Sequence, residues 1–247
     1  MRLIKDIEYG NDKNHRLDIY LPECDTFKVF VYFHGGALEA GDKADAAILA
    51  DYLLKQGYAV VSANYRMYPQ AVWPQFIDDA AAVVAWTKEN ISRYGTCEGI
   101  YIGGSSAGGY LSMMLCFDKR YLEKVGMGLE QISGYVHDAG QPTAHFNVLR
   151  ERGIDSRRLI VDETAAMYFV GTEESYPPMI YIVSDNDLEN RYEQTMLMQS
   201  TMKHFGYDMS KVKVQLMHGG HCAYVCAVDE TGESIFGKII GDFMKEF

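Results

Sequence analysis

Residues Gly104-Ser105-Ser106-Ala107-Gly108 follow the pattern Gly-x-Ser-x-Gly, which sets a serine hydroxyl on a turn so tight that only small neighbours fit. The run before it, Gly99-Ile100-Tyr101-Ile102-Gly103, reads as a short buried strand. The run after it, Tyr110-Leu111-Ser112-Met113-Met114-Leu115, reads as a buried helix. Strand, turn and helix together would expose the Ser106 Oγ at the C-terminal edge of a sheet, with a helix N-terminus behind it. Such a hydroxyl attacks a carbonyl carbon when a base takes its proton and N–H groups accept the charge that develops on oxygen. Alone, the pentapeptide also suits a plain small-residue turn, so its partners decide the matter.

Those partners are present in order. After the apolar run 29–33 comes His34-Gly35-Gly36-Ala37, a glycine-rich turn able to aim backbone N–H groups without obstruction from side chains. The N–H groups of Gly36 and Ala37, with that of Ala107 after the serine, are the expected oxyanion hole; His34 is expected to brace the loop. The acid should follow a later strand, and Ser184-Asp185-Asn186-Asp187 follows the apolar run 179–183. Asp187 is preferred over Asp185 because its register to the next helix suits it, with an Asx turn as the alternative use of either. The base should lie after the last strand, where Met217-His218-Gly219-Gly220-His221 offers two histidines. His221 follows two glycines in a loop able to reach over the serine, whereas His218 falls at the strand end. Ser106, Asp187 and His221 would then act in that chain order.

These residues need a frame that brings strand ends together. Alternation over residues 16–21 suggests an antiparallel hairpin with the first segment. From residue 28 onward, apolar runs at 29–33, 59–63, 100–102, 132–136, 179–183 and 212–216 alternate with helical stretches at 44–55, 76–91 and 192–204. The pattern predicts an α/β fold whose mostly parallel sheet is covered by helices on both faces, with functional residues at the C-terminal strand ends. One domain is expected over residues 1–247. Residues 138–177 break the alternation with Gly, Pro and charge, giving either a small lid holding two short helices or an irregular crossover. His137, Asp138 and His145, around the start of that insert, are candidates to contact substrate hydroxyls, with structural hydrogen bonding as the alternative.

Composition narrows the field. The net charge of −11 argues against nucleic-acid partners, which need basic clusters, and against anionic membrane surfaces. No apolar run is long enough to span a bilayer, and the charged, alternating start does not read as a signal peptide, so a cytoplasmic setting is expected. The five cysteines are scattered; Cys222 and Cys226 lack a second ligand pair for zinc, and free thiols are the plain reading.

At this point the chain resembles the α/β-hydrolase superfamily, and more narrowly the compact carboxylesterases related to hormone-sensitive lipase and to bacterial acetyl- and feruloyl-esterases. The resemblance runs from about residue 16 to the end. Beyond the motifs above, it includes Asn64-Tyr65-Arg66-Met67-Tyr68-Pro69, Phe76-Ile77-Asp78-Asp79-Ala80 leading to Trp86, and Pro177-Pro178. Ala37 departs from it, since lipase-like members often carry a third glycine there, and a long N-terminal cap is missing. The resemblance implies a serine carboxylesterase that needs no metal or organic cofactor. Its substrate would be a small-molecule short-chain acyl ester, with an acetylated sugar or oligosaccharide suggested by the 18 tyrosines. An arylformamidase-like amide hydrolase and a non-catalytic ligand receptor on the same fold are the alternatives. The oligomeric state is not legible.

Overall fold

The structure is a computed structural model that describes residues 2–247. Eight strands form one sheet: β1 (Arg2–Glu8), β2 (Arg16–Leu21), β3 (Thr26–Phe33), β4 (Ala59–Ala63), β5 (Thr96–Ser105), β6 (Gly134–Asp138), β7 (Met179–Asn186) and β8 (Val212–Gly220). Their order across the sheet is β1-β2-β4-β3-β5-β6-β7-β8. The β1–β2 and β2–β4 pairs are antiparallel, and every later pair is parallel. This is the mostly parallel, helix-covered sheet that the alternation of apolar runs and helical stretches predicts, with the antiparallel hairpin at its start, and it is the α/β-hydrolase fold that the resemblance implies. β6 begins at Gly134, two residues after the apolar run starts, because a 3₁₀ turn over Leu129–Gln131 delivers the chain to the sheet.

Helices cover both faces, as parallel strands require. α1 (Ala47–Lys55), α2 (Gln75–Asn90), α3 (Ala107–Phe117) and α6 (Arg191–His204) are the longer connections; α4 (Arg120–Lys124) and α5 (Phe146–Glu151) are short, and α7 (Ile235–Glu246) closes the chain. Along β3 the side chains alternate between two cores, as period-two geometry dictates. Val29, Val31 and Phe33 join the core under α2 and α3, while Phe30 and Tyr32 join the core under α1 and α7. The sequence patterning leaves α7 unassigned, although its Phe236, Ile240, Phe243 and Met244 complete that second core.

Two of the segments that carry the family resemblance meet each other. Asp79 on α2, 3 % exposed at its side chain, accepts from Arg66 Nη2 at 2.6 Å, from Arg66 Nε at 2.9 Å and from the Arg66 backbone N–H at 2.9 Å. A planar guanidinium matched to a carboxylate in this way is a strong, orienting contact. It fixes the chain after β4 against α2. Residues 138–177 carry α5 and a 3₁₀ turn at Ala166–Phe169. They are joined to α3 through the Tyr110 hydroxyl, which donates to the Thr164 carbonyl at 2.8 Å.

Candidate functional site

Strand register assembles the site. Phe33 at the end of β3 pairs with Gly104 at the end of β5, so the His34–Ala37 turn emerges beside the serine turn. Ser105 pairs with Asp138 on β6, and Asn186 on β7 pairs with Gly220 on β8. Asp187 and His221 therefore leave the sheet side by side.

Ser106 adopts φ 56° and ψ −111°, a conformation that costs a non-glycine residue of order 1–3 kcal/mol. The surroundings hold it there: its N–H donates to the Asp138 carbonyl at 2.8 Å, and its carbonyl accepts the Tyr110 N–H at 3.0 Å at the start of α3. The motif glycines permit this closeness. A Cβ on Gly108 would lie 1.9 Å from the Phe33 carbonyl oxygen, and one on Gly104 would lie 2.4 Å from the same oxygen. Small residues are thus required because α3 presses directly on the end of β3.

The Ser106 Oγ lies 2.8 Å from His221 Nε2, and His221 Nδ1 lies 2.5 Å from Asp187 Oδ1. The Asp187 side chain is 1 % exposed and that of His221 is 22 % exposed. Burial alone would raise the Asp187 pKa. Hydrogen bonding and attraction from His221, with N–H groups of Leu188 and Ser184, outweigh it and hold the carboxyl below its ordinary range. An ionised Asp187 accepting from Nδ1–H leaves Nε2 free to accept the serine proton. Asp185 and His218 pair with each other at 2.6 Å on the surface, their side chains 42 % and 89 % exposed. Both second choices thus fall into one exposed pair that does not line the cleft at Ser106.

The turn after β3 carries three consecutive residues at positive φ: Gly36 (107°), Ala37 (61°) and Leu38 (64°). Ala37, at the place of a third glycine, bears a left-handed conformation that costs an L-residue roughly 1–2 kcal/mol. Neighbours hold the turn. The Ala37 carbonyl accepts from Asn147 Nδ2 at 2.8 Å, and the Leu38 carbonyl accepts the Tyr68 N–H at 2.8 Å. His34, fully buried, stacks on Tyr65 with ring centroids 4.5 Å apart. Its Nδ1 lies 2.7 Å from the Gly35 carbonyl, and burial lowers its pKa. Asn147 belongs to the 138–177 insert and carries no sequence signal for this contact, because only the folded insert brings α5 against the turn.

Ser106, His221, Gly36 and Ala37 line one cleft of about 430 Å³, walled by Phe146, Leu188 and Val225. A wider hollow of about 900 Å³ lies near Asp25, Glu98 and Glu130, at the opposite end of the strands, and holds no histidine. Open α/β sheets bind ligands beyond the C-terminal strand ends, which favours the smaller cleft.

The three residues expected to contact substrate hydroxyls lie elsewhere. His137, Asp138 and His145 are at most 1 % exposed, and none lines the cleft. His137 bonds Ser112 Oγ at 2.9 Å, and burial pushes its pKa down to about 3. His145 caps α5, its Nδ1 accepting the Asn147 N–H at 3.2 Å. Position at a strand end does not reveal which face a side chain takes. On β6, His137 turns to the α3 side with Tyr135, and Asp138 turns toward the loop bearing His221.

Fold and strand-end geometry define an α/β-hydrolase. Within that class, the BD-FAE family model matches residues 17–149, more than half of the chain, and the chain belongs to that family. It is similar to the probable carboxylic ester hydrolase LipM of Mycobacterium tuberculosis, 39 % identical over 116 residues covering 44 % of this chain and 27 % of that protein. It is also similar to the kynurenine formamidase of Danio rerio, 30 % identical over 114 residues covering 45 % of this chain and 38 % of that protein. The matches thus span well under half the length of these relatives. Among solved structures, a truncated form of a carbohydrate esterase from gut microbiota shares the fold with a TM-score of 0.81 at 22 % identity, covering 100 % of this chain and 96 % of that one. Among the described residues, no helix is long and apolar enough to cross a membrane.

Proposed function

We propose that this protein is a serine carboxylesterase that hydrolyses short-chain acyl esters through an acyl-enzyme. The observation that carries this reading is the unbroken chain from Ser106 Oγ to His221 Nε2 (2.8 Å) and from His221 Nδ1 to Asp187 Oδ1 (2.5 Å), opening into the cleft beside Gly36 and Ala37. In the proposed reaction, His221 Nε2 takes the Ser106 proton as Oγ forms a bond to the ester carbonyl carbon. The carbonyl oxygen gains the charge, and the N–H groups of Gly36, Ala37 and Ala107 donate to it. The carbon–oxygen bond to the alcohol breaks, and His221 returns the proton to the leaving oxygen. Water, deprotonated by His221, then releases the acid and restores Ser106.

The acyl chain is proposed to be short because the cleft holds only about 430 Å³, near the lower end of small-molecule sites. Acetylated sugars are the proposed alcohol class, supported by the fold shared with the gut-microbiota carbohydrate esterase. An aryl formamide is the second reading, favoured by the similarity to the Danio rerio formamidase.

The test combines a fluorophosphonate probe with initial rates on p-nitrophenyl acetate, butyrate and decanoate, acetylated oligosaccharides and an aryl formamide. The expected result is labelling of Ser106, with rates falling as the acyl chain lengthens. Ser106→Ala should abolish labelling and leave only residual rate. A variant lacking Ser106 that hydrolyses esters at the wild-type rate would refute the reading, and an unlabelled wild type would favour a non-catalytic receptor.

A further inference from the structure

Asp138 ends β6 with its carboxylate completely buried, and among the described residues no lysine or arginine forms an ion pair with it. A charge in such a place needs strong hydrogen-bond partners. Ser105, the register partner of Asp138 on β5, favours the ionised carboxylate, and the Tyr32 hydroxyl of β3 lies 3.3 Å from Ser105 Oγ. From the loop after β8, the Tyr224 hydroxyl donates to Oδ1, and the Cys222 thiol lies 4.0 Å from Oδ2. The same thiol lies 3.7 Å from His221 Nε2. The Asp138 backbone carbonyl, meanwhile, accepts the Ser106 N–H at 2.8 Å.

One residue therefore touches both the turn that carries Ser106 and the loop that carries His221. Up to Gly220 that loop is held by the Gly219 N–H, which donates to Asp185 Oδ1 at 3.0 Å, and by Ser184 Oγ, which donates to the Gly220 carbonyl at 3.1 Å; beyond it an anchor is needed. Tyr224, only 4 % exposed, pins the loop from below, its ring against Phe236 and its hydroxyl on Asp138. Ring packing alone tolerates sliding, whereas a hydrogen bond to a buried carboxylate has one productive geometry.

We propose that Asp138 is a positioning residue for the ester hydrolysis assigned above, holding the His221 loop in register with Ser106 through Tyr224 and setting a second carboxylate beneath the imidazole. The inference rests on the serine reading and extends it. Burial pushes the Asp138 pKa up to about 7; hydrogen bonds from Ser105 and Tyr224 and the attraction of His221 oppose the rise, and Asp187 adds to it. The titratable groups facing it are Tyr224 and Cys222, both kept protonated by burial, with His221, Asp187 and the buried Tyr32. Arg191 is the nearby cation, donating to the adjacent Ala139 carbonyl. Above neutrality the ionised carboxylate accepts from its donors and favours the imidazolium form of His221, which the transition state needs. Below neutrality that support is withdrawn, so kcat carries an ionisation belonging to Asp138.

The experiment uses the full chain and p-nitrophenyl acetate. Asp138→Asn keeps the size and an acceptor for Tyr224 but removes the charge. The expected result is a kcat reduced about ten- to hundredfold, an unchanged KM, and a kcat–pH profile that has lost one ionisation. Tyr224→Phe should lower kcat likewise, and in an Asp138→Ala background, where the acceptor is gone, it should lower kcat no further. An unchanged kcat overturns the proposal, and so does a reduced kcat whose pH profile runs parallel to wild type. If Asp138→Asn does not fold, Tyr224→Phe decides by its kcat at unchanged KM: a loss of about tenfold or more supports the proposal and an unchanged kcat overturns it. Ser106→Ala separates the two levels: if it stays active the serine reading fails, and if it is inactive while Asp138→Asn matches wild type, only this inference fails.

Discussion

Replacing Asp187 by Asn, with Asp185→Asn as its matched control, tests whether the assignment of the acid is right. Asp187 is 1 % exposed at its side chain and 2.5 Å from His221 Nδ1. An amide there can turn its N–H₂ toward Nδ1, which favours the tautomer with its proton on Nε2. That tautomer cannot accept the proton of Ser106, so the base is lost although the geometry survives. For trypsin-type triads the equivalent change costs about 10⁴ in kcat, or ~5.4 kcal/mol at 1.36 kcal/mol per decade. The same loss is expected here. Asp185 forms an exposed pair with His218 at 2.6 Å, of a kind contributing about 0–1 kcal/mol, and has no contact with Ser106. Its variant should stay within about twofold of wild type. The assay is kcat/KM on p-nitrophenyl acetate, with Tm measured alongside. A loss below tenfold for Asp187→Asn, or a greater loss for Asp185→Asn, would refute the assignment. The acid branch offers a second check. Because the Asp187 pKa is lowered on folding, its contribution to stability is present above the ordinary carboxylate range and is lost as pH falls through the depressed value. The Tm difference between wild type and Asp187→Asn should therefore shrink below about pH 4.

Two further substitutions probe the frame. Gly108→Ala should improve helix propensity by about 1 kcal/mol, yet its Cβ would fall 1.9 Å from the Phe33 carbonyl oxygen. Backbone must move, so the clash wins and a net loss of about 1–3 kcal/mol is expected in urea denaturation; an equal or higher midpoint would contradict the close packing of α3 on β3. Asp79→Ala removes the buried acceptor of a half-buried Arg66 and should cost about 1.5–3 kcal/mol, as loss of a hydrogen bond to a charged group does. Its neighbour Asp78 pairs with an exposed Lys124 at 2.8 Å, so Asp78→Ala should cost less than about 1 kcal/mol, and similar losses for the two would remove the distinction.

Much of this architecture is legible in residue order. Apolar runs near 29–33, 59–63 and 179–183 fall within β3, β4 and β7, because strands buried on both faces read as continuous apolar segments. The start of β6 and the whole of α7 are less readable. The first depends on a 3₁₀ turn, and the second follows the loop after β8 rather than lying between two of the strands. Gly-x-Ser-x-Gly and His-Gly-Gly identify turns because each demands glycine for a local steric reason, visible here in the Gly104 and Gly108 contacts.

Side-chain partnership is another matter. Position along the two loops favoured Asp187 and His221 among two aspartates and two histidines, but nothing in the spacing says that Asp185 and His218 would pair with each other at the surface. That choice follows from the β7–β8 register and from the path the loop takes after Gly220. His137, Asp138 and His145 looked equally placed to reach a substrate, yet all three are buried. Sequence by itself determined which backbone segments become strands, helices and tight turns, since those depend on local sterics and on the period of apolar residues. Only the tertiary structure decided which polar side chains face the cleft and which lie beneath it, because that depends on strand register and on packing between segments distant along the chain.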